Sequence, residues 1–191
     1  MQSEVESDKS YKGLYETGDD DGLSYYYHGS VSNNYVKFEG FYWQIIRING
    51  DGSVRLMYAG SDGSSEGRDR LSATNRAFNT KRDNPTYNGY MYSNTLNESY
   101  EKITQNEISS NVKSVLDTWY QNNILNTPNE VYLVDAGFCS DRSLYLGNVY
   151  TDSEETTYYA AYNRYYNTKT PTLKCSKKND LLTLSTSNKG E

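Results

Sequence analysis

The clearest β pattern in the chain spans residues 35–60, where two apolar runs flank the link Asn49–Gly52. In residues 42–48 apolar side chains occupy both alternating sets, a pattern typical of a strand in the middle of a sheet. The link combines Asn-Gly with Asp-Gly, which is a strong turn signal between two strands. The sequence therefore predicts a central β-hairpin around which the rest of the chain is organised.

Two registers are open for this hairpin. A three-residue loop with Gly52 in the left-handed region would collect branched side chains on one face, namely Ile46, Ile48, Val54 and Leu56. An even loop would instead give two other pairs, Trp43 with Tyr58 and Ile45 with Leu56. We expect the odd loop, because it places the branched residues together.

The strongest helical pattern begins at Ser109 or Ser110 and ends near Asn123. Its apolar residues form one stripe at helical spacing: Ile108, Val112, Val115, Leu116 and Trp119. The serines can cap its start, and Pro128 closes its exit. We expect this helix to pack on one face of the sheet. The predicted core is Trp43, Ile46, Leu56, Val115, Leu116 and Trp119, where truncation to Ala would cost about 2–5 kcal/mol.

Weaker patterns complete the predicted architecture. Ser24–His28 and Val131–Ala136 are predicted strands, the second of them buried, and Leu181–Leu184 is a possible edge strand. The segment Tyr158–Tyr166 fits either a helix or a strand, and residues 61–105 hold no period for long. We expect a flexible linker over residues 1–12. We expect one α+β domain over residues 13–191, with a mixed, mostly antiparallel sheet, one main packed helix and long loops.

Composition and charge narrow the function. The net charge of −6 argues against a nucleic-acid-binding protein, which needs a basic surface. No apolar run reaches the roughly 18–20 residues of a membrane span. Tyrosine occurs 21 times against 4 phenylalanines, and a ring with a polar tip suits a sugar face. The codon usage of an AT-rich genome would produce the same enrichment.

Candidate binding residues are the tyrosines of two clusters. One cluster is Tyr25, Tyr26 and Tyr27; the other contains Tyr158, Tyr159 and Tyr162, with Tyr165 and Tyr166 nearby. Each cluster fits a sugar-stacking surface, and each also fits the filling of a core or an interface. The sequence predicts ligand binding by Tyr25–Tyr27, Tyr158, Tyr159 and Tyr162.

Catalytic and metal-binding motifs are absent from the sequence. It has no nucleophile elbow, phosphate-binding loop, dinucleotide fingerprint or zinc-protease motif. The single histidine, His28, lies in a predicted strand without a nucleophile motif beside it. The turn Asp19–Asp21 lacks calcium-loop spacing, and we interpret it as solvated; Asp135 is interpreted as a turn cap near Gly137. A carboxylate-only glycosidase stays open, with candidates Asp19, Asp20, Asp21, Glu130, Asp135 and Asp141.

Four stretches of the chain resemble a recurring block in uncharacterised surface proteins of gut Firmicutes. They are NNYVKFEGFYWQIIRINGDGSVRLMYAG, SSNVKSVLDTWYQNNI, EVYLVDAGFCSDRSLY and YNRYYNTKTPTLKCSKKNDLLTL, in this order. The resemblance covers most of residues 13–185. A more distant one is to domains of the C-type-lectin-like and formylglycine-generating-enzyme-like kind, through the hairpin and the Leu-Asp-x-Trp-Tyr helix. Those domains continue into an aromatic segment and a last strand, which this sequence does not contain.

The resemblance implies an extracellular, cell-surface protein whose membrane or pilin-like anchor lies upstream of Met1. It also implies a C-type-lectin-like fold, of which the resemblance covers the N-terminal part only. Because an exported protein permits disulfides, we predict a Cys139–Cys175 bridge, which would contribute about 3–4 kcal/mol of stability. We expect neither a metal ion nor another cofactor.

The function predicted from these observations is a non-catalytic binding or adhesion module of a Gram-positive gut bacterium. Its partner would be a glycan or a host or bacterial surface protein. Nucleic acid and membrane insertion are not expected. The alternatives are a structural pilus or cell-wall component and a glycan-processing enzyme.

Overall fold

The computed structural model describes residues 13–29, 31–62, 77–81, 84–95, 99–145, 157–169 and 172–183. The chain divides into two compact units. Unit 1 contains the described residues of 1–74, 123–134 and 172–174, and unit 2 those of 75–122, 135–171 and 175–191. The predicted α+β class is confirmed, since the described strands pair antiparallel and the helices are few. The single domain over 13–191 and its packing of helix on sheet stay predictions; the linker 1–12 lies outside the described residues.

Unit 1 is built on an antiparallel sheet with strand β4 at its centre. Its strands are β1 (Gly13–Gly18), β2 (Leu23–His28), β3 (Tyr35–Phe38), β4 (Phe41–Ile48) and β5 (Val54–Gly60). One edge of β4 pairs with β5, while the other edge pairs with β3 at one end and with β2 at the other. Strand β1 extends the sheet beyond β2. The predicted mid-sheet strand and the predicted strand Ser24–His28 are both confirmed.

The hairpin combines the two registers that the sequence left open. The Asn49 amide donates to the Ser53 carbonyl at 2.8 Å, and Gly52 has φ +86°, so the loop is the predicted three-residue loop. A β-bulge between Ile45 and Arg47 then adds one residue to β4. Beyond the bulge the pairs are those of the even loop, Ile45–Leu56 and Trp43–Tyr58. Ile46 therefore falls in the bulge instead of opposite Leu56.

One face of this sheet carries most of its aromatic and branched side chains. The pairing places Trp43, Ile45, Ile48, Val54, Leu56 and Tyr58 on it. The Tyr58 ring contacts Trp43 and Phe41, with centroid distances of 5.4 and 5.6 Å. The fully buried apolar residues of unit 1 are others: Tyr15, Ala59 and Ile124. The prediction of Ile46 as a core residue is wrong, because its side chain is 38% exposed; Trp43 and Leu56 are half-buried.

Unit 2 contains short elements and one longer helix. They are β6 (Met91–Tyr92), α1 (Tyr100–Ile103), β7 (Ile108–Ser109), α2 (Asn111–Asn123), β8 (Phe138–Cys139), α3 (Ala160–Tyr162) continued by a π-helix (Asn163–Thr168), and β9 (Leu181–Leu182). Three-residue 3₁₀ helices lie at Pro85–Tyr87 and Lys178–Asp180. Strand β6 pairs with β7, and β8 pairs with β9. Residues 61–105, in which the sequence holds no period for long, thus contain α1 and β6.

Helix α2 confirms the predicted helix, and the Ser110 side chain accepts from the Lys113 amide at 3.1 Å as the predicted cap. Its apolar stripe is only half-buried, at Val112, Val115, Leu116 and Trp119. The most buried side chain of the helix is Lys113, whose Nζ lies 2.5 Å from the Asp117 carboxylate one turn later. We therefore expect truncations at Leu116 and Trp119 to cost less than a full core truncation.

The predicted buried strand Val131–Ala136 is wrong. Residues Glu130–Tyr132 form a 3₁₀ helix, in which the amides of Tyr132 and Leu133 donate to the carbonyls of Asn129 and Glu130. Those hydrogen bonds occupy amide groups that a strand would pair with a neighbour. Val131 to Val134 are between 42% and 79% exposed. Asp135, interpreted as a cap of this strand's end, is also exposed.

The buried centre of unit 2 is an ion pair between Arg142 and Asp180. Nη2 and Nε of Arg142 lie 2.6 and 2.9 Å from Oδ1 of Asp180, and the Arg142 amide donates to Oδ2 at 2.7 Å. The guanidinium also donates to the carbonyl oxygens of Asn88, Met91 and Thr104 and to Oδ1 of Asn106. All five N–H donors of the guanidinium thus have acceptors. The pair joins the loop after β8 to the residue before β9.

A disulfide joins the same two segments. Cys139 and Cys175 are bonded, with their Cα atoms 5.6 Å apart, so the predicted bridge is confirmed. Cys139 also pairs with Leu181 in the β8–β9 ladder, and Gly137 lies against the Leu181 side chain. The possible edge strand is confirmed for Leu181–Leu182. The disulfide, the strand pair and the ion pair together hold residues 137–142 against residues 175–182.

Gly50→Ala should destabilise unit 1, because a Cβ at this position would lie 2.5 Å from the Gly22 amide nitrogen and 2.7 Å from Oδ1 of Asp19. Backbone atoms cannot rotate away, so we expect a loss of about 1–3 kcal/mol. Urea unfolding followed by tryptophan fluorescence measures it. Gly18→Ala is the matched control, since its Cβ would meet nothing closer than 3.8 Å. Equal stability of the two variants would contradict the predicted clash.

Arg142→Met should destabilise unit 2 by about 3–5 kcal/mol, because it leaves the Asp180 carboxylate buried without a counter-charge. Thermal unfolding of the oxidised protein, followed by circular dichroism, measures this change. Lys81→Met, at an exposed position of unit 2, is the control, because it removes a positive charge outside the Arg142–Asp180 pair. A loss below about 1 kcal/mol for Arg142→Met would show that the ion pair does not organise the unit.

Candidate functional site

The segment that the sequence left ambiguous, Tyr158–Tyr166, is helical from Ala160 onward. Helix α3 leads directly into the six-residue π-helix. Tyr158, Tyr162 and Tyr166 are spaced by four residues and lie along one side, and we call them the tyrosine ladder. Their ring centroids are separated by 4.9 Å and then by 5.3 Å. The ladder is therefore a continuous row of rings.

The ladder faces solvent. Tyr158 and Tyr162 are each 41% exposed and Tyr166 is 63% exposed. The rings of Tyr162 and Tyr166 are stacked at an interplanar angle of 13°, whereas Tyr158 is tilted by 54° against Tyr162. Three large amphipathic rings in contact with one another and with water are the kind of surface that ligands use.

The opposite side of the helix is anchored. Arg164 comes two residues after Tyr162, so it points away from the ladder. Its guanidinium forms an ion pair with the Asp141 carboxylate. Asp141 also accepts hydrogen bonds from the hydroxyls of Ser143 and Ser176, which lie 2.9 Å from each other. The Ala160 amide donates to the Ser143 carbonyl at 2.7 Å and fixes the start of the helix.

The anchor continues into the buried part of unit 2. Ser176 follows the disulfide residue Cys175, and Asp141 precedes Arg142. The Tyr100 hydroxyl donates to the Arg142 carbonyl. The Lys177 amine lies 3.6 Å from the centre of the Tyr100 ring. Burial, with a smaller contribution from the Asp180 charge, raises the pKa of Tyr100 to about 12. A neutral hydroxyl at this position keeps its proton for the hydrogen bond.

Of the three site residues predicted in this segment, only two belong to the ladder. Tyr158 and Tyr162 are in the ladder, but Tyr159 is half-buried and its backbone bridges to Leu144. Tyr166 completes the ladder; the sequence analysis named it beside this cluster but not among the predicted binding residues. Its spacing of four residues from Tyr162 would have indicated it, had the segment been assigned as a helix.

The tyrosines of β2 lie in unit 1 and do not form one surface. Tyr25 and Tyr27 point to one face of the sheet and Tyr26 to the other, as alternate residues of a strand must. The Tyr26 ring lies 5.7 Å from the ring of Tyr15. A common platform of these three rings is therefore ruled out by the strand geometry.

His28 and the two cysteines, the groups considered for catalysis, are all engaged in contacts within the fold. The His28 ring packs 5.3 Å from the ring of Tyr15, and both cysteines are in the disulfide. Within the described residues, no group of three or more His, Cys, Asp or Glu side chains could hold a metal ion. Over the same part of the chain, no helix has the length and apolarity needed to cross a membrane.

Asp19 is the exception among the aspartates that the sequence placed in a solvated turn. Its side chain is buried and accepts from the amides of Asp21 and Gly22 at 2.8 Å and of Gly50 at 2.9 Å. The Ser24 hydroxyl and Nη2 of Arg47 each lie 2.5 Å from Oδ2. The solvated reading is thus wrong for Asp19, because its oxygens are occupied by donors from two turns; Asp20 and Asp21 are exposed.

No protein-family model, curated protein or solved structure matches the chain. The function must therefore be argued from the residues of the site.

Asp19→Asn should lower stability at neutral pH and flatten its dependence on acid. Burial alone would raise the pKa of Asp19, but hydrogen bonds from Ser24, Gly50, Asp21 and Arg47 outweigh it and place the folded pKa below the ordinary value. The folded state then binds fewer protons than the unfolded state. Its stabilisation is complete above about pH 4 and is lost as the pH falls further.

Urea unfolding at several values between about pH 5 and pH 2 measures this dependence. Asp21→Asn, at an exposed neighbouring position, is the control and should retain the wild-type slope. An unchanged slope in Asp19→Asn would contradict the assignment.

Proposed function

We propose that this chain is a non-catalytic binding module that acts at the surface of a Gram-positive gut bacterium, and that the tyrosine ladder is its contact surface. The observation that carries the proposal is the exposed row of Tyr158, Tyr162 and Tyr166 on an anchored helix. Tyrosine supplies a large contact area at a low cost in side-chain entropy. A partner would gain apolar contact from the rings and hydrogen bonds from the hydroxyls.

The anchoring of the helix supports a binding role. A surface that is already ordered does not pay the cost of ordering when it binds. Arg164, Asp141 and Ser176 connect the helix to the disulfide-linked part of unit 2. A π-helix is itself uncommon and is found frequently at functional sites.

The extracellular location is supported by the disulfide, since such bonds persist mainly in oxidising compartments. The proposal that the module is non-catalytic is supported by the cysteines and buried carboxylates, which form bonds within the fold. The cysteines are bonded to each other, and the carboxylates of Asp19, Asp141 and Asp180 accept hydrogen bonds from neighbouring side chains.

A relation to the C-type-lectin-like fold and to surface proteins of gut Firmicutes is part of this proposal. Three features support it: the antiparallel hairpin sheet, the thirteen-residue helix, and a disulfide that closes a loop-rich segment. A domain of this kind would bind through side chains presented by loops and short helices.

The triple variant Tyr158→Ala, Tyr162→Ala and Tyr166→Ala should bind at least about tenfold more weakly than the wild type. Immobilised intestinal mucin and purified peptidoglycan are the two probes, read by biolayer interferometry on the oxidised full chain. Hydrolysis of a panel of chromogenic glycosides, followed in parallel, should not rise above the buffer rate.

Tyr132→Ala is the matched control, because Tyr132 is an exposed tyrosine outside the ladder. Circular dichroism must show that all variants remain folded. Two results would contradict the proposal: a folded triple variant that binds like the wild type, or glycoside turnover that an Asp→Asn or Glu→Gln change abolishes.

A further inference from the structure

We infer that the ligand of the tyrosine ladder is a glycan. Its contact would be a sugar ring stacked on Tyr166, with sugar hydroxyls bonded to the side-chain amides of Asn163 and Asn167. The inference rests on the proposed function and names the ligand class of the same surface. Three observations carry it: the size of the helix, the chemistry of its exposed groups, and its charge.

The helix is too small for a protein partner on its own. The three residues of α3 and the six of the π-helix make nine in all. A standard protein interface takes about 20–30 residues from each partner. An oligosaccharide of a few sugar rings is a smaller ligand and can be held by fewer residues.

The exposed groups have the two properties that a sugar requires. A sugar ring has a face of C–H groups and a rim of hydroxyls. Tyr166 ends the stack and is the most exposed ring of the ladder, so one face of it is available to a further ring.

An amide pair lies next to Tyr166. Nδ2 of Asn167 donates to Oδ1 of Asn163 at 2.9 Å, one turn earlier on the helix. The pair fixes both side chains and leaves the Asn163 amide as a donor and the Asn167 carbonyl as an acceptor. Neighbouring hydroxyls of a sugar can donate and accept at once, so they match such a pair.

Charge has only a small part in this surface. Residues 157–169 contain no acidic side chain, and their two cations are Arg164 and Lys169. Arg164 is paired with Asp141 on the far side of the helix. We therefore expect binding that depends on ring contact and hydrogen bonds, with little change between about 0.1 M and 1 M salt.

The test uses the oxidised full chain on a printed panel of neutral hexose, N-acetylhexosamine and acidic-sugar oligomers, beside a panel of synthetic peptides. Tyr166→Ala should weaken binding to the recognised oligosaccharide about tenfold. Tyr166→Phe should weaken binding less than Tyr166→Ala does, since it keeps the ring face and loses only the hydroxyl. Asn167→Ala should lose about threefold to tenfold. Tyr132→Ala is the control and should bind like the wild type.

The outcomes separate this inference from the proposed function. Ladder-dependent binding of a peptide with no oligosaccharide bound would overturn the glycan inference and leave the binding function standing. Oligosaccharide binding that Tyr166→Ala does not weaken would also overturn the inference. If neither panel gives binding that depends on the ladder, both proposals fail. Tyr166-dependent, salt-insensitive binding of an oligosaccharide supports both.

Discussion

The buried pair of Arg142 and Asp180 is the interaction on which unit 2 depends. Taking two charges out of water costs several kcal/mol for each ion, and the attraction offsets this only when further hydrogen bonds complete both groups. Here the guanidinium binds three backbone carbonyls as well as Asp180: those of Asn88 before β6, Met91 within β6 and Thr104 after α1. A Cβ atom at position 89 would lie 2.5 Å from Nη1 of Arg142, so the glycine at this position makes room for the guanidinium. The loops of this unit are thus arranged around one side chain, in place of a large apolar core.

Unit 1 has a similar centre, in which the side chain that gathers the loops is the negatively charged Asp19. The Asp19 carboxylate gathers two turns, Asp19–Gly22 and the hairpin loop at Gly50, through backbone amides. Arg47 neutralises it from the neighbouring strand β4. The two centres work in the same way. In each, one charged side chain forms hydrogen bonds with backbone groups that have no hydrogen-bond partner in a helix or sheet. Hydrogen bonds and ion pairs are directional, so polar cores of this kind can specify loop conformations. Apolar packing is not directional and cannot specify them in this way.

The parts that sequence predicted well are those with local signals. Apolar residues on both faces predicted the central strand, the glycine loop predicted the turn, and the serine cap with its apolar stripe predicted α2. Some of the failures come from long-range polar contacts. Nothing local distinguishes Asp19 from Asp20, or Arg142 from any exposed arginine, before distant segments bring their partners. The run Val131–Ala136 has strand propensity, but hydrogen bonds within a 3₁₀ turn take its amides. The bulge near Ile46 similarly changed a register that alternation alone could not resolve.

The ladder shows how such a polar centre can order an exposed row of side chains. Asp141 precedes Arg142 in the chain, so the position of its carboxylate follows from the position of the buried arginine. That carboxylate holds Arg164, which fixes the back of the helix and turns Tyr158, Tyr162 and Tyr166 outward. The hydroxyl of Ser176, next to the disulfide, supports Asp141 from the other segment. The exposed rings are therefore ordered by contacts within unit 2, and the binding proposed for them would cost less side-chain and helix entropy as a result.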